Sequence, residues 1–242
     1  MSSKSPFTSV WSRRPSPKNT REQPVLSRAQ IVHAAMELLD AEGLDALSMR
    51  KLGARLGSGA TSIYWYVTNK EELLELVLDE VYGELSVPDP AETGWRDAAA
   101  VFAYGLRQAM VTHPWSITLI GTLPSLGPNA MAASDRLMKA FEIAGFTGIA
   151  LDYAAAAVIS YTLGATTPEV SWLNLLSRSG VNADEWVKAM RPQVDVAAAD
   201  YPGLRAHYAG YANLDPAATM HISFDFGLVA LLDGLEARLR QP

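Results

Sequence analysis

Between Thr61 and Lys70 the chain concentrates hydroxyls and aromatic rings: Thr61, Ser62, Tyr64, Trp65 and Tyr66, closed by the ammonium of Lys70. A helix built only to fill a core has no use for so many hydroxyls. Hydroxyls suit base edges and phosphate oxygens in a major groove. Tyr64 and Tyr66 can donate to phosphates while their rings pack on the backbone. Lys70 opens the next helix, where its charge and the N-terminal dipole both favour a phosphate. The bulk of Trp65 suggests that it packs this segment together. Elsewhere the reactive residues do not assemble. His33, His113, His207 and His221 have no metal-ligand partner at helical spacing, and His113, before Pro114, reads as a helix-end residue. There is no nucleophile elbow, phosphate-cradling glycine loop or paired acid constellation. Cysteine is absent, which excludes disulfides and thiolate metal sites. No catalytic residue, metal or cofactor is expected. The rival class is a helical enzyme that binds or modifies a small molecule, and specific DNA retardation against turnover would separate the two.

The elements that must position this segment are helices. Ser27 is an N-cap candidate for a helix running to Glu42, with Ile31, Ala35, Leu38 and Leu39 at helical spacing and Gly43 as C-cap. Ser48 caps a second helix, Met49 to Leu56, ended by Gly57. The small residues Gly57, Ser58, Gly59 and Ala60 permit a tight turn into a short third helix, about Thr61 to Tyr66. Asn69 caps a fourth, Lys70 to about Leu85, before Pro88 and Pro90. The second and third form a helix-turn-helix; the bland alternative is a purely structural bundle. Beyond Gly94 the pattern predicts helices at Trp95 to Thr112, around Ile117, at Asn129 to Ala144, at Ile149 to Gly164 with a possible continuation to Leu176, near Asp184 to Arg191, and at Thr219 to Arg240. No stretch alternates with period two long enough for a strand. The fold class is all-α: a helix-turn-helix head in residues 25–86 and a larger helical body in 94–242, after a disordered basic arm in 1–24.

The overall charge of −6 hides an asymmetry. Residues 1–70 hold ten basic against five acidic side chains, a net of +5, and the rest hold ten against twenty-one, a net of −11. A basic head on an acidic body fits a phosphate-binding module with a non-binding partner domain. The arm is either an unimportant tail or a source of non-specific DNA affinity. No signal pattern opens the chain. The uncharged run from Arg107 to Asp135 contains Pro114, Pro124 and Pro128, and the one around Tyr153 to Pro168 is too short to span a bilayer. A soluble, cytoplasmic protein without a membrane partner is expected.

The stretch Ser27 to Leu74 resembles the tetracycline-repressor (TetR) family. The resemblance rests on Leu47-Ser-Met-Arg-Lys-Leu-Gly-Ala-Arg-Leu-Gly57 and Ile63-Tyr-Trp-Tyr-Val-Thr-Asn-Lys-Glu-Glu-Leu-Leu74. It continues more weakly in the body, at Gly94-Trp95-Arg96-Asp97, Leu119 to Pro124, Tyr201 to Arg205 and Phe226 to Glu236. It implies Arg50, Thr61 and Ser62 as base-reading residues and Ser48, Tyr64, Tyr66 and Lys70 as phosphate contacts; for Arg50 the alternative is a solvated surface residue. Ser58, Gly59 and Ala60 replace larger polar residues of the tetracycline-binding members, so the operator sequence should differ. The implied partners are a palindromic double-stranded DNA operator, a small-molecule effector and a second copy of the chain.

The body supplies the sensing and dimerising expectations. Phe224, Leu228, Leu231, Leu232, Leu235 and Leu239 share one face of the last helix, while Ile222, Phe226 and Val229 make the opposite side apolar too. Gly227, Gly234 and the Ala154 to Ala157 run give thin surfaces for close helix approach. A homodimer follows; a monomer with a thick core is the alternative. Phe102, Leu106, Trp115, Leu119, Met138, Phe141, Tyr161 and Trp172, with Ser86, are the effector-pocket candidates, since pockets in helical bundles are apolar with few polar anchors. The resemblance sets Leu119 where tetracycline-binding members have a metal-binding histidine, Phe102 where they hold the drug with asparagine, and Ser86 where a second histidine contacts it. Leucine cannot ligate Mg²⁺. An apolar or aromatic effector is therefore expected in place of magnesium-tetracycline, its binding releasing the operator.

Overall fold

The computed structural model describes residues 9–12, 26–211 and 214–240. Among them twelve α-helices and no strand occur: α1 (Arg28–Glu42), α2 (Met49–Arg55), α3 (Ala60–Ile63), α4 (Lys70–Gly83), α5 (Pro90–Thr93), α6 (Trp95–Thr112), α7 (Ser116–Leu119), α8 (Pro128–Ala144), α9 (Ile149–Ser179), α10 (Ala183–Ala197), α11 (Pro202–Tyr211) and α12 (Pro216–Leu239). They fall into two compact units, one up to Ala156 and one from Ala157 onward.

In the first unit the caps act where the sequence places them. Ser27 and Gln30 form a reciprocal capping box at α1, Ser48 accepts from the Lys51 N–H, and Asn69 accepts from the Glu72 N–H. Gly43 leaves α1 at a φ of 79° that an L side chain resists. The apolar stripes meet in one core: Ile31, Ala35, Leu52, Ile63, Leu73 and Val77 are fully buried. α6 packs on α8, and α8 on α4. Three acids of α4 are buried, and the described contacts give each a task. Glu72 accepts from the Thr68 N–H at 2.8 Å. Asp79 accepts from the Ala130 N–H at 2.9 Å and caps the start of α8. Gly127 permits that approach, because a Cβ there would fall 2.1 Å from the Asp79 carboxyl.

Glu75 corrects the expectation of an unstructured arm over residues 1–24. The Ser9 hydroxyl donates to its carboxylate at 2.5 Å, and Val10–Ser12 forms a 3₁₀ turn whose Val10 is buried in the head core. A buried carboxylate that accepts hydrogen bonds is far cheaper than an unpaired one, so these four residues settle on α4. The rest of that arm lies outside the described residues.

Two other expectations change. α3 ends at Ile63, short of Tyr66. α9 continues unbroken from Ile149 to Ser179 through Pro168, rather than pausing at Gly164. Proline removes one ladder bond there, but burial of Val158, Thr162, Thr166 and Val170 along α9 favours continuity. The hydroxyls of Thr162 and Thr166 are bonded to the carbonyls of Val158 and Thr162. At 31 residues α9 is no longer too short for a bilayer: α9 and α12 are each long and apolar enough to cross one. In the second unit α12 buries Phe224, Leu228, Leu232 and Leu235 and exposes Ile222, Phe226 and Val229. Tyr161 lies against Gly227 of α12 and donates its hydroxyl to the Phe224 carbonyl at 2.7 Å.

Candidate nucleic-acid interface

The turn between α2 and α3 depends on a residue inside α2. A Cβ on Gly53 would sit 2.9 Å from the Ser58 carbonyl oxygen and 3.0 Å from the Ala60 nitrogen. Gly53 therefore lets the turn close onto α2, and Gly57 completes it at a φ of 62°. α3 is one turn long, and its inward register is set by Ile63 and Val67, both buried. With a four-residue step between these inward positions, Tyr64 and Trp65 must point out.

The candidate DNA-contacting residues mostly share the exposed side. Ser48, Arg50, Thr61 and Tyr64 are exposed and Ser62 is half-buried. Lys70 is half-buried, its ammonium donating to the Leu44 carbonyl at 3.1 Å, which leaves two further donors. Tyr66 departs from its expected role: its hydroxyl donates to the Leu26 carbonyl at 2.5 Å, so in this conformation it has no proton for a phosphate. Trp65 does not pack the head together. It is 85% exposed, because Ile63 and Val67 take the inward positions. The sequence reading overlooked Trp65 as surface and Gly53 as spacer; the four-residue step between Ile63 and Val67 was the available signal.

α1 and the ends of α4 and α6 hold a polar cluster that sequence spacing did not reveal. His113, buried at the end of α6, hydrogen-bonds through Nδ1 to Asp40 of α1 at 2.7 Å and through Nε2 to Glu84 at 2.9 Å. The Trp115 indole donates to the same Asp40 oxygen at 2.7 Å. Burial alone would lower the His113 pKa, but the hydrogen bonds to Asp40 and Glu84 and their negative charges outweigh it and hold it above its ordinary value. His113 is thus more than a helix-end residue: it ties α1 to the ends of α4 and α6.

The nine effector-pocket candidates are divided between the units. Phe102 and Leu106 are buried on α6 and Phe141 is buried on α8, which packs on α6, with the Phe141 ring against Trp95 and Phe146. Trp115 and Leu119 belong to the head core. Ser86 is exposed and Met138 half-buried. In the second unit, the Tyr161 hydroxyl is bonded to the α12 backbone, and Trp172 lines a recess with Trp186, His207, Tyr208 and Met220.

Known proteins share both regions. Residues 31–77 match the family model of bacterial regulatory proteins of the tetR family, and residues 87–239 match the tetracyclin repressor-like C-terminal domain. An HTH-type transcriptional regulator of Saccharopolyspora erythraea is 36% identical over 228 residues, covering 94% of this chain and 91% of its own. The HTH-type transcriptional repressor DrrR1 of Streptomyces coeruleorubidus is 33% identical over 222 residues, covering 90% of this chain and 80% of its own. The crystal structure of the Streptomyces coelicolor TetR family protein ActR in complex with actinorhodin superposes with a TM-score of 0.72 at 28% identity, covering 89% of this chain and 99% of that one.

Proposed function

Since this chain belongs to the tetR family of bacterial regulatory proteins, we propose that it is a ligand-responsive repressor that releases a palindromic DNA operator when a small aromatic effector binds its body. The observation that carries this reading is the surface of α3. Thr61 and Tyr64 stand exposed above Ile63 and Val67, which are anchored in the core. A helix pinned by its inner face and polar on its outer face suits a major groove. Arg50, Thr61 and Ser62 read bases; Ser48, Tyr64 and Lys70 contact phosphates. Residues 25–86 form the reading head and residues 94–242 the sensing and dimerising body.

A relative named as a repressor and a structural neighbour in complex with actinorhodin support the same reading. The protein acts as a homodimer in the cytoplasm, without enzymatic activity. The dimer is supported by Ile222, Phe226 and Val229, apolar side chains exposed opposite the buried face of α12. Magnesium-tetracycline is not the effector: Leu119 is apolar and sits in the head core.

Binding-site selection from random duplex DNA tests this. The wild-type protein should enrich a palindrome whose half-sites lie one or more helical turns apart, about 34–36 Å per turn. Arg50→Ala and Ser62→Ala should each relax particular base positions by about 1–3 kcal/mol. Lys70→Ala and Tyr64→Phe should weaken all sequences alike. Failure to enrich any sequence would overturn the repressor reading, and an unchanged consensus in both base-reading variants would overturn those assignments.

A further inference from the structure

Residues 9–12 lie outside both family-matched regions, yet they sit on α4. Ser9 organises them. Its hydroxyl donates to the Glu75 carboxylate at 2.5 Å and accepts from the Trp11 N–H at 3.3 Å. Its carbonyl accepts from the Ser12 hydroxyl at 2.8 Å and the Ser12 N–H at 3.2 Å. The Val10 N–H reaches the same Glu75 oxygen at 3.3 Å. Val10 is buried with Ile63, Val67, Leu73 and Val77 in the head core. Trp11 packs against that core, with the Arg28 guanidinium carbon 5.9 Å from its ring centroid. The four residues thus join the middle of α4 to the first turn of α1.

Glu75 makes this docking more than adhesion. It is 4% exposed, and its described hydrogen bonds come from Ser9 and Val10. With residues 9–12 undocked, its carboxylate would lose both donors in a buried stretch of α4 that includes Leu74, Leu76 and Leu78. The disturbance would fall close to the reading surface. One turn before Glu75, Glu72 accepts from the Thr68 N–H at 2.8 Å, and Asn69 caps the helix beside Lys70. Ile63 and Val67, which turn Tyr64 and Trp65 outward, share the core that Val10 enters. A shift of α4 at Glu75 therefore carries Lys70, Thr68 and the end of α3 with it.

We propose that residues 9–12 are a strap that positions α4, and through it α3, so that DNA is read only while the strap is docked. Ser9, Val10 and Glu75 are positioning residues: they act through α4 rather than by touching DNA. None of Ser9, Val10, Trp11 and Ser12 carries a charged side chain, so the strap itself neutralises no phosphate. The proposal rests on the repressor reading above.

Fluorescence anisotropy of the full chain on its selected duplex, well below the melting temperature of each variant and at several salt concentrations, tests it. Val10→Ser removes the apolar anchor and Ser9→Ala removes the donor to Glu75; neither changes the charge. Apparent affinity follows the fraction of molecules in the competent state, so Val10→Ser should weaken binding about tenfold and Ser9→Ala about threefold. The salt dependence should keep its slope, because no phosphate contact is lost. Ser9→Ala and Glu75→Leu break the same hydrogen bond, so the double variant should bind no more weakly than Glu75→Leu alone. If Glu75→Leu fails to fold, the two strap variants are decisive by themselves. The strap is overturned if Val10→Ser and Ser9→Ala bind DNA as the wild type does, whatever their melting temperatures, for then the segment only stabilises the head. A shallower salt slope in both overturns it as well, since residues 9–12 would then serve to hold charged groups against phosphates. Additive losses in the double variant do the same. A wild-type protein that selects no DNA overturns the repressor reading and the strap's role with it; every other failure appears beside a wild type that selects its site, and overturns the strap alone.

Discussion

The helix-turn-helix head and the α10–α11 segment start from similar local instructions and end in different packing. α1 and α10 each open on a reciprocal capping box, Ser27 with Gln30 and Asn182 with Glu185. Yet α1 buries six residues, including Ile31 and Leu38, whereas α10 buries none, and residues 201–210, which include most of α11, are all exposed. Capping decides that a helix forms; burial decides how firmly it is held. Under the proposed function the contrast is useful. Reading base edges requires the α3 side chains at fixed spacing, and the head core supplies that. α10 and residues 201–210 have no such core behind them, so nothing comparable fixes their spacing.

The sharpest way to break this contrast is a matched pair of truncations. Leu38→Ala, in the head core at 1% exposure, should cost about 2–5 kcal/mol by chemical denaturation. Leu204→Ala, on α11 at 45% exposure, should stay within about 0.5 kcal/mol. Equal losses at the two positions would mean that α11 is held as firmly as the head.

A smaller effect tests the turn. Gly53→Ala places a methyl against the backbone of Ser58 and Ala60, groups that cannot rotate away. The loss should be about 1–3 kcal/mol, read as a lowered melting temperature. Affinity for the selected DNA should fall further than stability alone explains, because α3 is displaced. A stable Gly53→Ala protein with unchanged DNA affinity would show that the turn tolerates the added carbon.

The same contrast explains what the sequence could reveal. Ser27, Ser48, Asn69 and Gly43 act on their immediate neighbours, so their caps were readable from spacing alone. The faces of α12 were readable because its apolar residues outnumber what one core can take. Trp65 misled because bulk was weighed ahead of register: Ile63 and Val67 already claimed the inward positions. Pro168 misled because tertiary burial overrode a local breaker. Phe102, Leu106 and Phe141 are large, apolar and buried, a description that residues lining an enclosed pocket and residues filling a core share, so spacing alone does not separate the two. The His113 cluster joins residues 29 and 73 positions apart, and no local pattern announces such a pairing.

That cluster gives the smallest and most specific prediction. His113 joins Asp40 of the head to Glu84 just past α4, and Trp115 shares the Asp40 oxygen. His33, Glu37 and Glu80 line the same recess, so most of the charge near the imidazole is negative. Although burial pulls the His113 pKa down, the hydrogen bonds and charges of Asp40 and Glu84 raise it above the ordinary 6.5. A histidine whose pKa is higher folded than unfolded stabilises fully below the unfolded value and loses that contribution as pH rises through the folded one. The head should therefore become less stable as the medium turns alkaline, starting above about pH 6.5. His113→Gln keeps a polar side chain but cannot titrate. Melting temperatures of the two proteins should converge as pH rises, the wild type holding its advantage only on the acidic side. Parallel curves from neutral to alkaline pH would mean that His113 carries no charge in the fold and joins these elements by neutral hydrogen bonds alone.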